Sequence, residues 1–447
     1  MSDQLNRRYF LFLCITLILV WGSGYVQREI RTFHKSEYRF LDDFKVYYTA
    51  GLVARSDSDR RLYAITEVPD VQNGSGSVVI NPQLQPPDPN STFARYDIES
   101  NSQLQYLYPP PFAIAAIPFT YLSFENGSIV WHVLLSFFLI VAIFCCVSIF
   151  VDDLISKLVI TVLAFAVIET SVPVQDFLLV GNIGSIIACL CAIGLFLHKR
   201  NPTLGALFFA LATAIKLTPI AVLPLMIVRK QWNWTIAFSL WLALIFGISI
   251  VTLGFDNHYE FVTKVMPAMA GGLPVDQNRS LSTFVHAIYT GRFLIDADIL
   301  SPKELRDPTI PDLTFKVLTL FAFASLFGFL YVRKKINIVL EVAVVLVCSV
   351  IFSPISFRHY YALAIVPVVI AWLHCAENED RIPVLAALSA GTVMVLSVVP
   401  SYFAAASESF VVDFISLGMM PAGALLLIYV LLFSSSCEDN LTGYTKI

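Results

Sequence analysis

Charge is what this chain has least of: only 14% of its 447 residues are Asp, Glu, Lys or Arg, and the formal net charge is -4. No basic block interrupts the sequence, which excludes the electrostatic footprint of a nucleic-acid partner. The eight cysteines are Cys14, Cys145, Cys146, Cys189, Cys191, Cys348, Cys375 and Cys437. They sit in apolar runs or at their ends, outside the two long polar loops, and their spacings suit neither a disulfide framework nor a zinc site. No dense carboxylate cluster is present to cage a divalent ion, so no tightly bound metal or other cofactor is expected. No small-residue cleavage site follows the opening apolar stretch YFLFLCITLILVWGSGYV, which therefore reads as an uncleaved first span behind Arg7 and Arg8.

What fills the chain is apolar: 57% of residues are hydrophobic and the mean hydropathy is +0.72. That balance belongs to an all-α polytopic membrane protein, here a single domain over 1–447. Four basic clusters set the orientation by facing the cytoplasm: Arg7–Arg8, His198 to Arg200, Arg229–Lys230 and Arg333 to Lys335. Spans then read 9–26, 126–150, 156–172, 182–197, 203–215, 218–228, 233–254, 312–332, 336–352, 361–374, 382–400 and 408–434. That makes about twelve segments, with both termini cytoplasmic.

One stretch strains this scheme. For two of the basic clusters to share a side, residues 203–228 must enter and return, yet each full crossing needs roughly 20 residues. Lys216 and Pro219 interrupt the run in ATAIKLTPIAV, so two half-length helices meeting at a break are expected. Such breaks are tolerated in a bilayer where they line a cavity. The alternative is one tilted span with Lys216 snorkelling, which places one cluster outside.

Two long loops remain exoplasmic. Residues 27–125 open with FLDDFKVYYTAGL, carry the polar tract NGSGSVVINPQLQPPDPNSTF, and close with YLYPPPFAIAAIPFTYLSF, which is expected along the interface or re-entrant. Residues 255–311 contain GGLPVDQNRSLSTFVHAIY.

The distinctive polar motifs all fall on that outer side. They are Asp42 and Asp43 with Tyr47, the YPPPF run from Tyr108, and VQDFLLVGNIGS with Asn182. To these are added the Lys216 break, Asp276, Gln277, Asn278 and Arg279 of DQNRS, and Arg358, His359 and Tyr360 of SPISFRHYY. A transporter would scatter ionisable groups along a pathway near the midplane. Convergence on one face points instead to a surface cavity where a lipid and a second partner meet.

Each motif also has a plainer reading. Phe44, Tyr47, Tyr48, Gly51 and Leu52 share one helical face, so this helix can lie flat on the membrane. Asp42 or Asp43 then serves as its N-cap, a role compatible with that of an aimed general base. Arg358 and His359 are either interfacial anchors beside tyrosines or cations facing a phosphate. Lys216, within a helical break, needs an anion nearby. GNIGS opens a helix whose free amides suit an oxyanion. His132, Glu169, Asp176, Glu341 and Asp413 read as satisfied within the bundle, with Asp276 a reserve base.

Taken in order, the exoplasmic Asp-Phe before a tyrosine-rich helix, LYPPPF, GNIGS, AIKLTP, DQNRSLS and SPISFRHYY resemble the GT-C superfamily of integral-membrane glycosyltransferases. Within it the chain resembles glycosyltransferase family 87, which includes polyprenyl-phosphate-mannose-dependent alpha-1,2-mannosyltransferases that build phosphatidylinositol mannosides. The resemblance runs from about residue 42 to 361, and the polar insertion at 70–100 is not part of that pattern. It implies a GT-C-like bundle in a plasma membrane, with Asp43 as the catalytic aspartate, Lys216 as the basic residue of the break and His359 as the histidine of the Ser-Pro motif. It further implies inverting transfer of a hexose, mannose first, from a polyprenyl-phosphate donor to a lipid or glycan hydroxyl on the exoplasmic face. Lys216, Arg279, Arg358 and His359 would then face the donor phosphate. Asp42, Tyr47, Tyr108, Asn182, Asp276, Gln277, Asn278 and Tyr360 would line the pocket. The competing classes are a flippase for a lipid-linked sugar, which needs no base, and a scaffold of envelope assembly.

Overall fold

The computed structural model describes residues 11–20, 42–56, 61–63, 67–68, 77–78, 106–270, 278–290, 309–333, 337–377, 382–396 and 410–433. Their regular structure is helical, save for a two-residue antiparallel ladder of Glu67–Val68 with Ser77–Val78. Among the described residues, Phe124–Phe150, Trp232–Leu253, Leu313–Val332 and Arg358–Ala376 are long and apolar enough to cross a membrane. A bent pair, Leu154–Ile168 and Val172–Val180, meets at 76°. The sequence reading had run its first member on to residue 172 as a straight span; the bend lies at the Glu169–Ser171 turn.

Apolar helices stand at every predicted span position, but most are short, including Gly184–His198, Pro202–Ile215, Ile338–Ile351 and Ile382–Leu396. About 14 residues reach only ~21 Å, against a hydrocarbon core of ~30 Å. Ile338–Ile351 is buried from Val339 onward, Gly184–His198 is buried along most of its length, and the long Arg358–Ala376 segment is mostly buried too. Phe124–Phe150, Trp232–Leu253 and Leu313–Val332 carry exposed apolar faces, with Val133 64%, Val251 88% and Leu320 73% accessible. A helix hydrophobic all round belongs in a core, and an apolar outer face in lipid.

Close crossings hold the centre together. A Cβ added at Gly205 would stand 2.8 Å from the Gly194 carbonyl oxygen, so the two helices touch backbone to backbone. At one end Arg229 pairs with Glu341, which has no exposed side-chain surface, and donates to the Arg333 carbonyl at 2.9 Å. Arg333 in turn donates to the Leu432 carbonyl at 2.6 Å. Glu341 is thus satisfied inside the bundle, as expected for a buried charge.

The break at Lys216 is present. Pro202–Ile215 ends there with Lys216 extended at φ -148°, ψ 130°, and a 3-10 turn, Thr218–Ala221, leads into Val222–Val228. Pro219 supplies the reason, since it lacks an N–H and its ring would clash with the Ile215 carbonyl four residues back, so the helix ends there.

The Asp42–Arg55 helix departs from the expected membrane-surface helix. Phe44, Val46, Tyr47, Tyr48, Thr49, Ala50, Val53 and Ala54 are all buried, so protein covers more than one of its faces. The cover is Pro110–Ala116 with the 3-10 turn Ile117–Tyr121, the apolar piece that was expected along the interface or re-entrant. A Cβ at Gly51 would lie 2.9 Å from the Ala116 carbonyl, and Arg55 donates to the Thr120 carbonyl at 2.9 Å. Tyr48 donates its hydroxyl to the Leu122 carbonyl at 2.8 Å. The aromatic face meant for lipid is used to seat this cover.

Candidate functional site

Two dipeptides far apart in sequence close on each other. Gly181 ends the Val172–Val180 helix in the left-handed region, at φ 72°, which glycine adopts without a Cβ penalty. Its carbonyl accepts the Trp131 indole N–H at 2.7 Å, and that indole stacks on Phe44 with centroids 5.3 Å apart. The residues next in line then meet: Asn182 Nδ2 donates to Asp43 Oδ2 at 2.5 Å. Asn182 Oδ1 accepts the Gly184 N–H at 3.0 Å, which leaves its NH2 group for the carboxylate. The orientation of the amide therefore follows from its backbone partner.

Tyr47, one turn along from Asp43, donates to the Tyr108 hydroxyl at 2.8 Å, and both hydroxyls lie 3.4 Å from Asn182 Nδ2. Burial pushes both phenols well above their ordinary range, with the nearby Asp43 charge adding to it. They remain neutral hydrogen-bonding groups at any physiological pH.

The third contributor is the 3-10 turn Arg358–Ala364. With three residues per turn, successive side chains point about 120° apart, so neighbours in sequence address different partners. Arg358 Nε reaches Asp176 Oδ2 at 3.4 Å, and His359 Nε2 stands 3.9 Å from Asp43 Oδ2. Tyr360 presents its ring to Lys216, whose Nζ lies 2.8 Å from the centroid. Lys216 is also close enough to Asp43 for their charges to interact. Asp43 keeps 21% of its side chain exposed, so it is held yet accessible.

The turn itself is pinned from behind. Asn278 bridges Phe357, its Oδ1 accepts the Ser356 N–H at 2.7 Å, and the Arg279 N–H donates to the Ser356 carbonyl at 2.7 Å. Tyr361 donates to the Arg279 carbonyl at 2.9 Å. A Cβ at Gly184 would sit 2.9 Å from Ala362 Cβ and 3.2 Å from the His359 carbonyl. Gly184→Val is therefore expected to cost about 1–3 kcal/mol by overpacking and to push the His359 turn away from Asp43. Thermal unfolding and the catalytic rate measured together check this, and an unchanged rate would mean the turn relaxes elsewhere.

The structure thus gathers Asp43, Tyr47, Tyr108, Asn182, Lys216, His359 and Tyr360 in one cluster. Arg358 belongs to an ion pair with Asp176, and Arg279 is buried behind the turn at 3% exposure. Asn278 likewise braces backbone. The helix begins at Asp42, whose side chain lies outside the described residues, as do Asp276 and Gln277. The sequence reading passed over Gly184 as an element of fit; Asp176 is satisfied within the bundle as expected, and its partner is Arg358.

The helical membrane chain thus sets the Asp43 carboxylate beside a histidine and near the lysine of a helical break. Residues 106–354, more than half of the chain, match the family model of Glycosyltransferase family 87, and the chain belongs to that family. It is accordingly a glycosyltransferase, acting between a sugar donor and an acceptor. The match takes in Tyr108, Asn182, Lys216 and Arg279 and leaves Asp43 and the Arg358–Tyr360 turn outside it. No curated protein and no solved structure gives a significant match.

Proposed function

We propose that the chain transfers a hexose, mannose in the first instance, from a polyprenyl-phosphate donor to a hydroxyl of a lipid or glycan at the exoplasmic face of the plasma membrane. The observation that carries this reading is the Asp43 carboxylate held by Asn182 at 2.5 Å, beside His359 and the Lys216–Tyr360 pair. The acceptor hydroxyl attacks C1 while the bond from C1 to the phosphate oxygen breaks on the opposite side, inverting the anomeric centre. Asp43 takes the hydroxyl proton, and the polyprenyl phosphate leaves with one more negative charge than the donor carried. Lys216 faces that growing charge, with His359 as the second group on the same side. Asn182 aims the carboxylate and, by donating to it, favours the ionised form that a base requires.

The test uses purified protein in detergent with labelled polyprenyl-phosphate mannose and a membrane lipid extract. A labelled glycolipid product is expected, and its sugar should survive the mild acid that cleaves the glycosyl phosphate of the donor. Transport cannot be scored in detergent, so an absence of product with every polyprenyl-phosphate hexose would favour the flippase reading.

A further inference from the structure

Trp131 reaches both partners of the Asn182–Asp43 hydrogen bond through the residues next to them. It lies on the buried stripe of the Phe124–Phe150 helix, with Leu135 and Leu139, and is only 3% exposed. Its indole N–H donates to the Gly181 carbonyl at 2.7 Å, and its ring stacks on Phe44 with centroids 5.3 Å apart. Tyr47 and Phe119 enclose the same ring, with centroids at 5.7 Å and 5.1 Å. Gly181 directly precedes Asn182, and Phe44 directly follows Asp43.

The Gly181 carbonyl belongs to the peptide unit that carries the Asn182 N–H. A trans peptide is planar, so its C=O and N–H point in opposite directions. Trp131 holds one end of this plane, and the Asn182 N–H holds the other by donating to the Phe177 carbonyl at 2.8 Å. With both ends held, the Asn182 side chain leaves the backbone in a set direction, toward Asp43. The ring face acts on the acceptor in the same way. Phe44 is buried against Trp131, and Asp43 is carried on the same helical turn.

Packing alone does not call for the N–H contact. Trp234 is also fully buried and stacks on Phe238 at 5.1 Å, yet its indole N–H has no hydrogen-bond partner. This fold therefore accepts a buried indole without a bond to its nitrogen, and at Trp131 the bond goes to the carbonyl beside Asn182.

We propose that Trp131 is a positioning residue for the transfer reaction: its N–H and its ring face together hold Asn182 and Asp43 at hydrogen-bonding distance and so aim the carboxylate at the acceptor hydroxyl. The proposal rests on Asp43 being the base, as proposed above. Trp131 is too deeply buried to touch either substrate, so its loss falls on kcat and not on donor KM.

The experiment replaces Trp131 with benzothienylalanine, which keeps the outline of the indole and puts sulfur where the N–H was. Trp131→Phe, Asn182→Ala and Trp234→Phe are made beside it. Each protein is assayed with polyprenyl-phosphate mannose and a membrane lipid extract, well below its thermal midpoint. The benzothienyl protein is expected to unfold close to the wild-type midpoint, with kcat lowered roughly 10–100-fold and donor KM near its wild-type value. Asn182→Ala should lower kcat by a similar factor, and adding it to the benzothienyl protein should cost little more, because both changes break one linkage. Trp234→Phe removes the same atoms from a second buried stack, so it should lower the thermal midpoint as Trp131→Phe does and leave kcat unchanged. An unchanged kcat in the benzothienyl protein, losses that multiply in the double variant, or an equal loss in Trp234→Phe would overturn the positioning role. With Asp43→Asn inactive, any of these results leaves Asp43 standing as the base. Full turnover by Asp43→Asn, or no transfer by wild type, would instead overturn the reading beneath the proposal, and the role of Trp131 with it.

Discussion

Asp43→Asn is expected to yield protein at the wild-type level, eluting as a single species, that transfers sugar about 10²–10⁴-fold more slowly. The substitution is close to isosteric, and a carboxamide oxygen at this position still accepts the Asn182 N–H that reaches Oδ2 at 2.5 Å. Phe44 remains stacked on Trp131, and Trp131 remains bonded to Gly181, so the clamp around the helix start survives. What disappears is the ability to take a proton and the negative charge that Lys216 feels. The loss should therefore fall on kcat, with donor KM lowered or unchanged, because a neutral residue repels an incoming phosphate less than a carboxylate does. Single-turnover transfer with preloaded donor separates the two quantities. Normal turnover by this variant would remove Asp43 as the base and leave it as the amide-binding cap of its helix.

The fold was readable in the sequence wherever hydropathy alone decides structure. Apolar helices stand where uncharged runs predicted them, and the helical break falls at Lys216 because Pro219 enforces it locally. Burial was harder to read. The aromatic face of Asp42–Arg55 looks the same in sequence whether lipid or protein covers it, and only the close approach of Gly51 to Ala116 settles the matter. The bend after Ile168 had a local signal in Pro173, which lacks an N–H and clashes with the Glu169 carbonyl four residues back, but the reading followed hydropathy, which stays apolar through it. Within the site, residue type pointed to charged groups and passed over the rest. Arg279, Arg358 and Lys216 were all expected to face the donor phosphate, yet one lies behind a backbone turn, one is paired with Asp176, and one stands over an aromatic ring. Pairing of this kind depends on which distant elements pack against each cation, and that is not written in the local sequence.

Lys216→Met is expected to lower kcat/KM for the donor by roughly 10²–10³-fold, the usual consequence of removing one donor aimed at developing charge. Methionine keeps the unbranched length and the contact with the Tyr360 ring, so the break and its packing should be retained. The ammonium lies 2.8 Å from that ring centroid, where the π face offers it a weak anionic partner worth about 1–2 kcal/mol in a desolvated setting. A phosphate is a far stronger partner, so donor binding should draw Lys216 off the ring at small cost. Lys216→Arg should recover only part of the loss, because the planar guanidinium is larger and would meet the Tyr360 ring by stacking. The acceptor KM should be nearly the same in all three proteins, since the acceptor is handled on the Asp43 side. Titrating donor at saturating acceptor, and then the reverse, separates these effects. Donor kinetics unchanged in Lys216→Met would return the residue to a structural role at the break and remove the cation on which the leaving phosphate depends.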